Sequence, residues 1–168
     1  DFYAQQVLSM LLGGGMSSRL FQEVREKRGL VYSIYSFTSA YRDSGMLGIY
    51  AGTGEKQIKE LVPVVCDELL AITESDLEVE IERSKVQLRS GLLMSRETTS
   101  SRCEQMAQHL LVHGGIMTVE EIVEKVNQVD MLSVKRVIKK LLATVPTLTA
   151  LGPISNLEAY DKFCARLR

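Results

Sequence analysis

The 168-residue chain carries only three cysteines, Cys66, Cys103 and Cys164, and no CxxC pair. An odd, widely spaced set excludes a disulfide framework and a cysteine metal clamp, and reads as reduced and cytosolic-type. The formal net charge is only -1, which argues against a nucleic-acid or membrane-surface partner. No apolar run reaches membrane-spanning length. There is no signal or targeting pattern, no internal repeat and no low-complexity linker. The first residues, DFYAQQVLSML, already read as mid-helix, which predicts a chain cut from something longer. The bacterial cytoplasm fits this pattern best, with the mitochondrial matrix and the periplasm left open.

What is present describes one globular domain with a real core, residues 1–168, at 45% hydrophobic and 24% charged residues. Phe2 to Leu12 has helical apolar spacing. Gly13-Gly14-Gly15 ends it, glycine tolerating the left-handed backbone of a helix stop. Ser17 or Ser18 is placed to cap a second, basic helix over Arg19 to Arg28, with Leu20, Phe21 and Val24 inward and Gly29 as its stop. Val31 to Tyr41 and Met46 to Thr53 read as strands joined by a turn at Arg42-Asp43-Ser44-Gly45, an antiparallel hairpin. Gly48 and Gly52 share a face of the return strand, where another element could approach the backbone.

Helices dominate the remainder. One runs from about Glu55 to Ile72 with a stripe of Ile58, Leu61, Val62, Val65, Leu69 and Ile72; Pro63 predicts a kink or a displaced start. Ser75 and Glu78 have the spacing of a capping box for a helix through about Leu93. Arg96 to Val112 follows. Thr118 and Glu121 form a second such pair, and Asp130 or Ser133 caps the next helix, which Pro146 ends. Thr147 to Leu151 reads as a short strand, Gly152-Pro153 as a turn, and Asn156 to Leu167 as a last helix. Few antiparallel strands with helices segregated after them make an α+β pattern, an antiparallel sheet with helices on one face. The sheet is thin for so many helices, as if its first strand or strands were missing.

Several constellations could carry chemistry. His109 and His113 stand four apart on a predicted helix, a spacing that can bind zinc. The intervening Leu-Leu-Val offers no glutamate as general base, and the pair reads as a helix end before Gly114-Gly115. Cys66 and Cys103 lie on or near apolar faces and read as core. The glycine triplet before a helix could cradle an anion, but it lacks the phosphate-loop and dinucleotide-loop patterns; the other reading is a flexible corner. Arg25 and Tyr32 are separated by the Gly29 stop, which could fold one towards the other. A guanidinium and a phenol side by side suit a developing oxyanion. Equally, Arg25 could pair with Glu23 or Glu26, and Tyr32 could be half-buried strand packing.

The stretch LGGGMSSRLFQEVREKRGLVYS, Leu12 to Ser33, resembles the second half of pitrilysin/insulinase-family zinc metallopeptidases, in the processing-peptidase-like branch. The likeness continues through the Asp43-Ser44-Gly45 hairpin, ELVPVVCDEL (Glu60 to Leu69), SRETTSSRCEQMAQHLLVHG (Ser95 to Gly114) and LTALGP (Leu148 to Pro153). The RLFxxxRxxxGLxYS pattern is its most specific part.

The resemblance implies the zinc-free C-terminal domain of a two-domain endopeptidase acting on peptides or presequences, inactive alone. It implies no cofactor in this chain and zinc in the partner N-terminal domain, whose His-x-x-Glu-His motif is absent here. By motif, Arg25 and Tyr32 match a pair that binds substrate near the scissile bond. Gly13, Gly14 and Gly15 match part of the substrate-chamber wall. The implied partners are the chain's own zinc-binding domain or a homologous catalytic subunit, a peptide substrate, and a second copy as a homodimer. The other reading is a structural or assembly subunit of the same fold without protease activity.

Overall fold

The computed structural model describes residues 1–41 and 43–168, with the side chain of residue 113 excepted. Helix α1 (Phe2–Gly13) buries Ala4, Val7, Leu8, Leu11 and Leu12, and packs on strand β1. It stops at Gly14 with φ −83 and ψ 0, its N–H bonded to Met10 O. The left-handed stop expected at the triplet is thus not used; positive φ among the glycines is confined to Gly29, Gly114 and Gly152.

The second helix differs in kind. Arg19 and Leu20 begin it, but Phe21–Lys27 is a π-helix, with a wider turn than an α-helix. Neither serine caps it. The Ser18 hydroxyl donates to Gly15 O, which folds the glycine corner onto the helix start, and the Gln22 side-chain amide donates to Met16 O. Leu20 and Val24 are fully buried, with Phe21 only partly so.

Strands β1 (Val31–Ala40) and β2 (Gly45–Thr53) pair antiparallel, as the hairpin pattern predicts; Arg42 of the turn lies outside the described residues. One face meets α1, where the Gln6 amide donates to Thr38 Oγ1 and the Ser36 hydroxyl donates to Ser9 O. The opposite face carries Tyr35 stacked on Tyr50 at 5.1 Å, with Phe37 beside them. Gly48 is approached closely, and the neighbour is the ring of its cross-strand partner Phe37 on β1: a Cβ there would lie 2.3 Å from Phe37 Cζ.

Helices α2 (Ile58–Glu74), α3 (Glu78–Ser95), α4 (Thr99–His113), α5 (Val119–Asn127), α6 (Met131–Leu142) and α7 (Tyr160–Arg166) follow. With α1 and the π-helix they complete an α+β fold. The start of α2 is displaced to Ile58, and Pro63 sits inside it. It buries Val64 rather than Val62 or Val65. Burial pushes the Cys66 thiol up to about 11.

Cys103 is not core. It is exposed on α4, a helix that buries none of its described residues. The Ser75–Glu78 box does not form either, because the Ser75 hydroxyl donates back to Ala71 O and Asp76 caps Glu78 N–H instead. Reciprocal capping boxes do form at Thr118–Glu121 and Asp130–Ser133.

Residues 147–151 are not a strand, since no described neighbour pairs with their backbone. The last helix is shorter than predicted and begins at Tyr160.

Candidate functional site: the helix-to-strand crossing

Three local devices shape the passage from the basic helix into β1. The π-helix closes with Gly29 N–H on Arg25 O and Leu30 N–H on Val24 O, both at 3.0 Å. Gly29 takes φ +61, the left-handed conformation that glycine adopts without a Cβ penalty. Two residues later the β1–β2 register slips. Val31 faces Thr53 and Ser33 faces Gly52, so Tyr32 is the extra residue of a bulge. Bulges re-aim a side chain out of the regular alternation, and Tyr32 is 86% exposed. It is therefore not strand packing.

The charges of the helix are distributed unevenly. Arg19 makes a two-pronged contact with Glu80, at 2.7 and 2.8 Å, and lies 3.8 Å from Glu68. Glu68 is held above the usual carboxyl range by burial, which the Arg19 charge offsets only in part. Lys27 and Arg28 both bind Glu23, and Arg28 also reaches Glu60. The Lys27 hydrogen bond, followed by that of Arg28, lowers the Glu23 carboxyl below its ordinary value.

Glu23 is thus committed away from Arg25, against the pairing that sequence proximity allows. Arg25 makes no ion pair with a described residue. Its guanidinium lies over the Phe21 ring, with Cζ 4.8 Å from the centroid. The outcome is an exposed cation on the π-helix and an exposed phenol on β1, two elements in contact with each other.

The glycine corner is not uniform. Gly13 is buried against β1, Gly14 is exposed, and Gly15 is half-buried near the Gln87 amide. Only the latter two leave backbone accessible. A cavity of about 430 Å³ lined by Leu70, Lys139, Leu142, Pro146, Cys164 and Leu167 contains none of the predicted site residues.

No group of three His, Cys, Asp or Glu among the described residues could hold an ion. His109 Nδ1 accepts the Met117 N–H and ties the loop after α4 back to the helix; the His113 side chain lies outside the described residues. Two features escaped the sequence. The Phe21–Arg25 stack had a signal, an aromatic four residues before a cation on one helix. The bulge at Tyr32 had none, since the run reads as a continuous strand.

This geometry stands beside close relatives. The chain is 38% identical over 154 residues to the "Uncharacterized zinc protease YmxG" of Bacillus subtilis, covering 91% of the chain and 38% of that relative. It therefore spans well under half of that protein's length. A peptidase M16 inactive domain from Pseudomonas fluorescens superposes with a TM-score of 0.73 at 23% identity, over 83% of this chain and 34% of that one. A chain of Complex III2 from Candida albicans superposes with a TM-score of 0.86 at 19% identity, over 99% of this chain and 42% of that one. Both share the fold. The family model described as the peptidase M16 inactive domain matches residues 1–88, more than half of the chain, and the protein belongs to that family as its inactive-domain type.

Proposed function

We propose that this chain is the zinc-free half of a two-domain zinc endopeptidase. It would close a substrate chamber against a zinc-bearing domain or subunit and present Arg25 and Tyr32 to the peptide. The observation that carries this reading is the unpaired Arg25 guanidinium. Three of the four cations between Arg19 and Arg28 have carboxylate partners, whereas Arg25 is exposed and has none among the described residues. A cation held free of counter-ions is available to an external carbonyl or carboxylate.

In that role Arg25 and the Tyr32 hydroxyl donate hydrogen bonds near the scissile carbonyl. They strengthen as negative charge develops on its oxygen, and so favour the tetrahedral intermediate over the bound substrate. The accessible backbone at Gly14 and Gly15 contributes to the wall along which the peptide lies. The zinc of the other half would supply the activation of water. Residues 1–168 form one domain of this assembly, and a homodimer is compatible with it.

The test is peptide cleavage by the full-length protein. Chelation of zinc should abolish it. Arg25→Ala should lower turnover by about 10²–10³, the usual loss for an oxyanion donor, and Tyr32→Phe should lower it in the same direction. Unchanged turnover in both variants sinks the assignment.

A further inference from the structure

We propose that Phe21 is a positioning residue for Arg25, its ring holding the guanidinium in place before a peptide arrives. This rests on the reading of Arg25 given above.

The stack lies within cation–π range, with Cζ 4.8 Å from the ring centroid. Phe21 follows buried Leu20 and stands three residues before buried Val24, and it is itself partly buried. Its ring is partly buried at the flank of the helix, outside the core cluster, and the Arg25 guanidinium lies over it. Arginine has a long, mobile side chain, and ordering it on binding opposes affinity and rate. A carboxylate partner would also order it, but would neutralise the charge the peptide must meet. The two neighbouring cations show that alternative, because Lys27 and Arg28 are both tied to Glu23. An aromatic face restrains the guanidinium plane without a counter-charge and leaves its in-plane N–H groups free to donate. Phe21 thus acts through Arg25 and need not touch the reacting atoms.

The experiment is a double-mutant cycle on peptide cleavage by the full-length protein, read as kcat/KM. Phe21→Leu should lower it by about 2- to 5-fold, the fold-change matching an exposed cation–π contact. Phe21→Tyr, which keeps the ring, should restore it. Phe21→Leu should add nothing in an Arg25→Ala background. A second readout needs no catalysis: the Arg25 side-chain protons should show an upfield ring-current shift by NMR that Phe21→Leu abolishes.

An equal loss from Phe21→Leu with and without Arg25 would overturn the proposal, as would no ring-current shift in the wild type. Should Arg25→Ala leave cleavage intact while the shift is present, the functional reading of Arg25 fails, and the positioning role with it. Phe21→Met, of similar bulk but without a π face, takes the place of Phe21→Leu where the latter melts early.

Discussion

Gly13 and Ser36 are in backbone contact across the interface of α1 and β1: a Cβ on Gly13 would stand 2.5 Å from Ser36 N and 2.8 Å from Ser36 Oγ. The obstacle is a strand, not a flexible side-chain tip, so the helix or the sheet must move. Overpacking of this kind costs about 1–3 kcal/mol. Gly13 is also the last residue of α1, where alanine gains at most about 1 kcal/mol of helix propensity. The clash wins, and Gly13→Ala should lower the urea midpoint. Gly15→Ala meets only the movable Gln87 amide at 3.4 Å, and φ there is not positive. It should be neutral or stabilising by up to about 1 kcal/mol. Equal losses at both positions would show that the triplet acts as one flexible corner.

Arg19 and Arg28 both join the basic helix to its neighbours, but only one does so out of water. Arg19 and Glu80 are 16% and 22% exposed and bond through two prongs, whereas Arg28 is 42% exposed opposite a 55% exposed Glu60. Charge-assisted, part-buried bonds are worth about 1–3 kcal/mol; exposed pairs are screened and add little. Arg19→Ala should destabilise by that amount. Arg19→Lys should recover only part of it, because the ammonium cannot reproduce the fork. Arg28→Ala should leave the thermal midpoint unchanged. Equal effects of Arg19→Ala and Arg28→Ala in a thermal melt would contradict this assignment.

The two capping boxes give a pH test. The Ser133 backbone N–H, then its hydroxyl, hold the Asp130 carboxyl below its ordinary value. Its folded pKa therefore lies under an unfolded value of about 3.9. A depressed carboxyl contributes stability above the unfolded value and loses it as the pH falls through the folded one. Asp130→Ala should cost about 0.5–2 kcal/mol near neutrality, and the cost should shrink in acid. Thr118→Ala removes a hydroxyl cap that does not titrate in this range, so its cost should persist. Urea midpoints across the acid range decide it, and parallel curves for the two variants would contradict the linkage.

What could be read from the sequence divides by the range of the interaction. The Thr118–Glu121 box is closed within four residues, so the local pattern sufficed; at the next helix the pattern left Asp130 and Ser133 as alternatives, and the structure uses both in one reciprocal box. Ser75 has the same spacing to Glu78, yet it still belongs to the end of α2, and the Ala71 carbonyl claims its hydroxyl. The basic helix buries Leu20 just before its π-turns and Val24 within them, as a continuous α-helix would, so its apolar stripe carries no mark of the wider turn. Thr147 to Leu151 has strand composition, but a strand requires a partner, and none of the described residues supplies one. At the candidate site, the motif singles out Arg25 and Tyr32. It could not foresee that Glu23 would turn to Lys27 and Arg28, which is decided by the helix surface in three dimensions.

Gly29 offers the sharpest test of the crossing, because a Cβ there would meet nothing within 4 Å. Any penalty is therefore conformational rather than steric against a neighbour. With φ at +61, an L-residue with a Cβ pays roughly 1–2 kcal/mol, while asparagine tolerates the left-handed region better than alanine. Gly29→Ala should thus destabilise more than Gly29→Asn, although asparagine is the larger residue. The same turn joins the element bearing Arg25 to the strand bearing Tyr32, and the Gly29 and Leu30 N–H groups close the π-helix. If the two side chains act together on a peptide, Gly29→Ala should reduce cleavage by the full-length protein beyond its effect on the folded fraction, with Gly29→Asn in between. Melting curves and turnover measured on the same preparations separate the two effects. An order of stability set by side-chain size instead, with alanine above asparagine, would show that space and not backbone conformation limits this position.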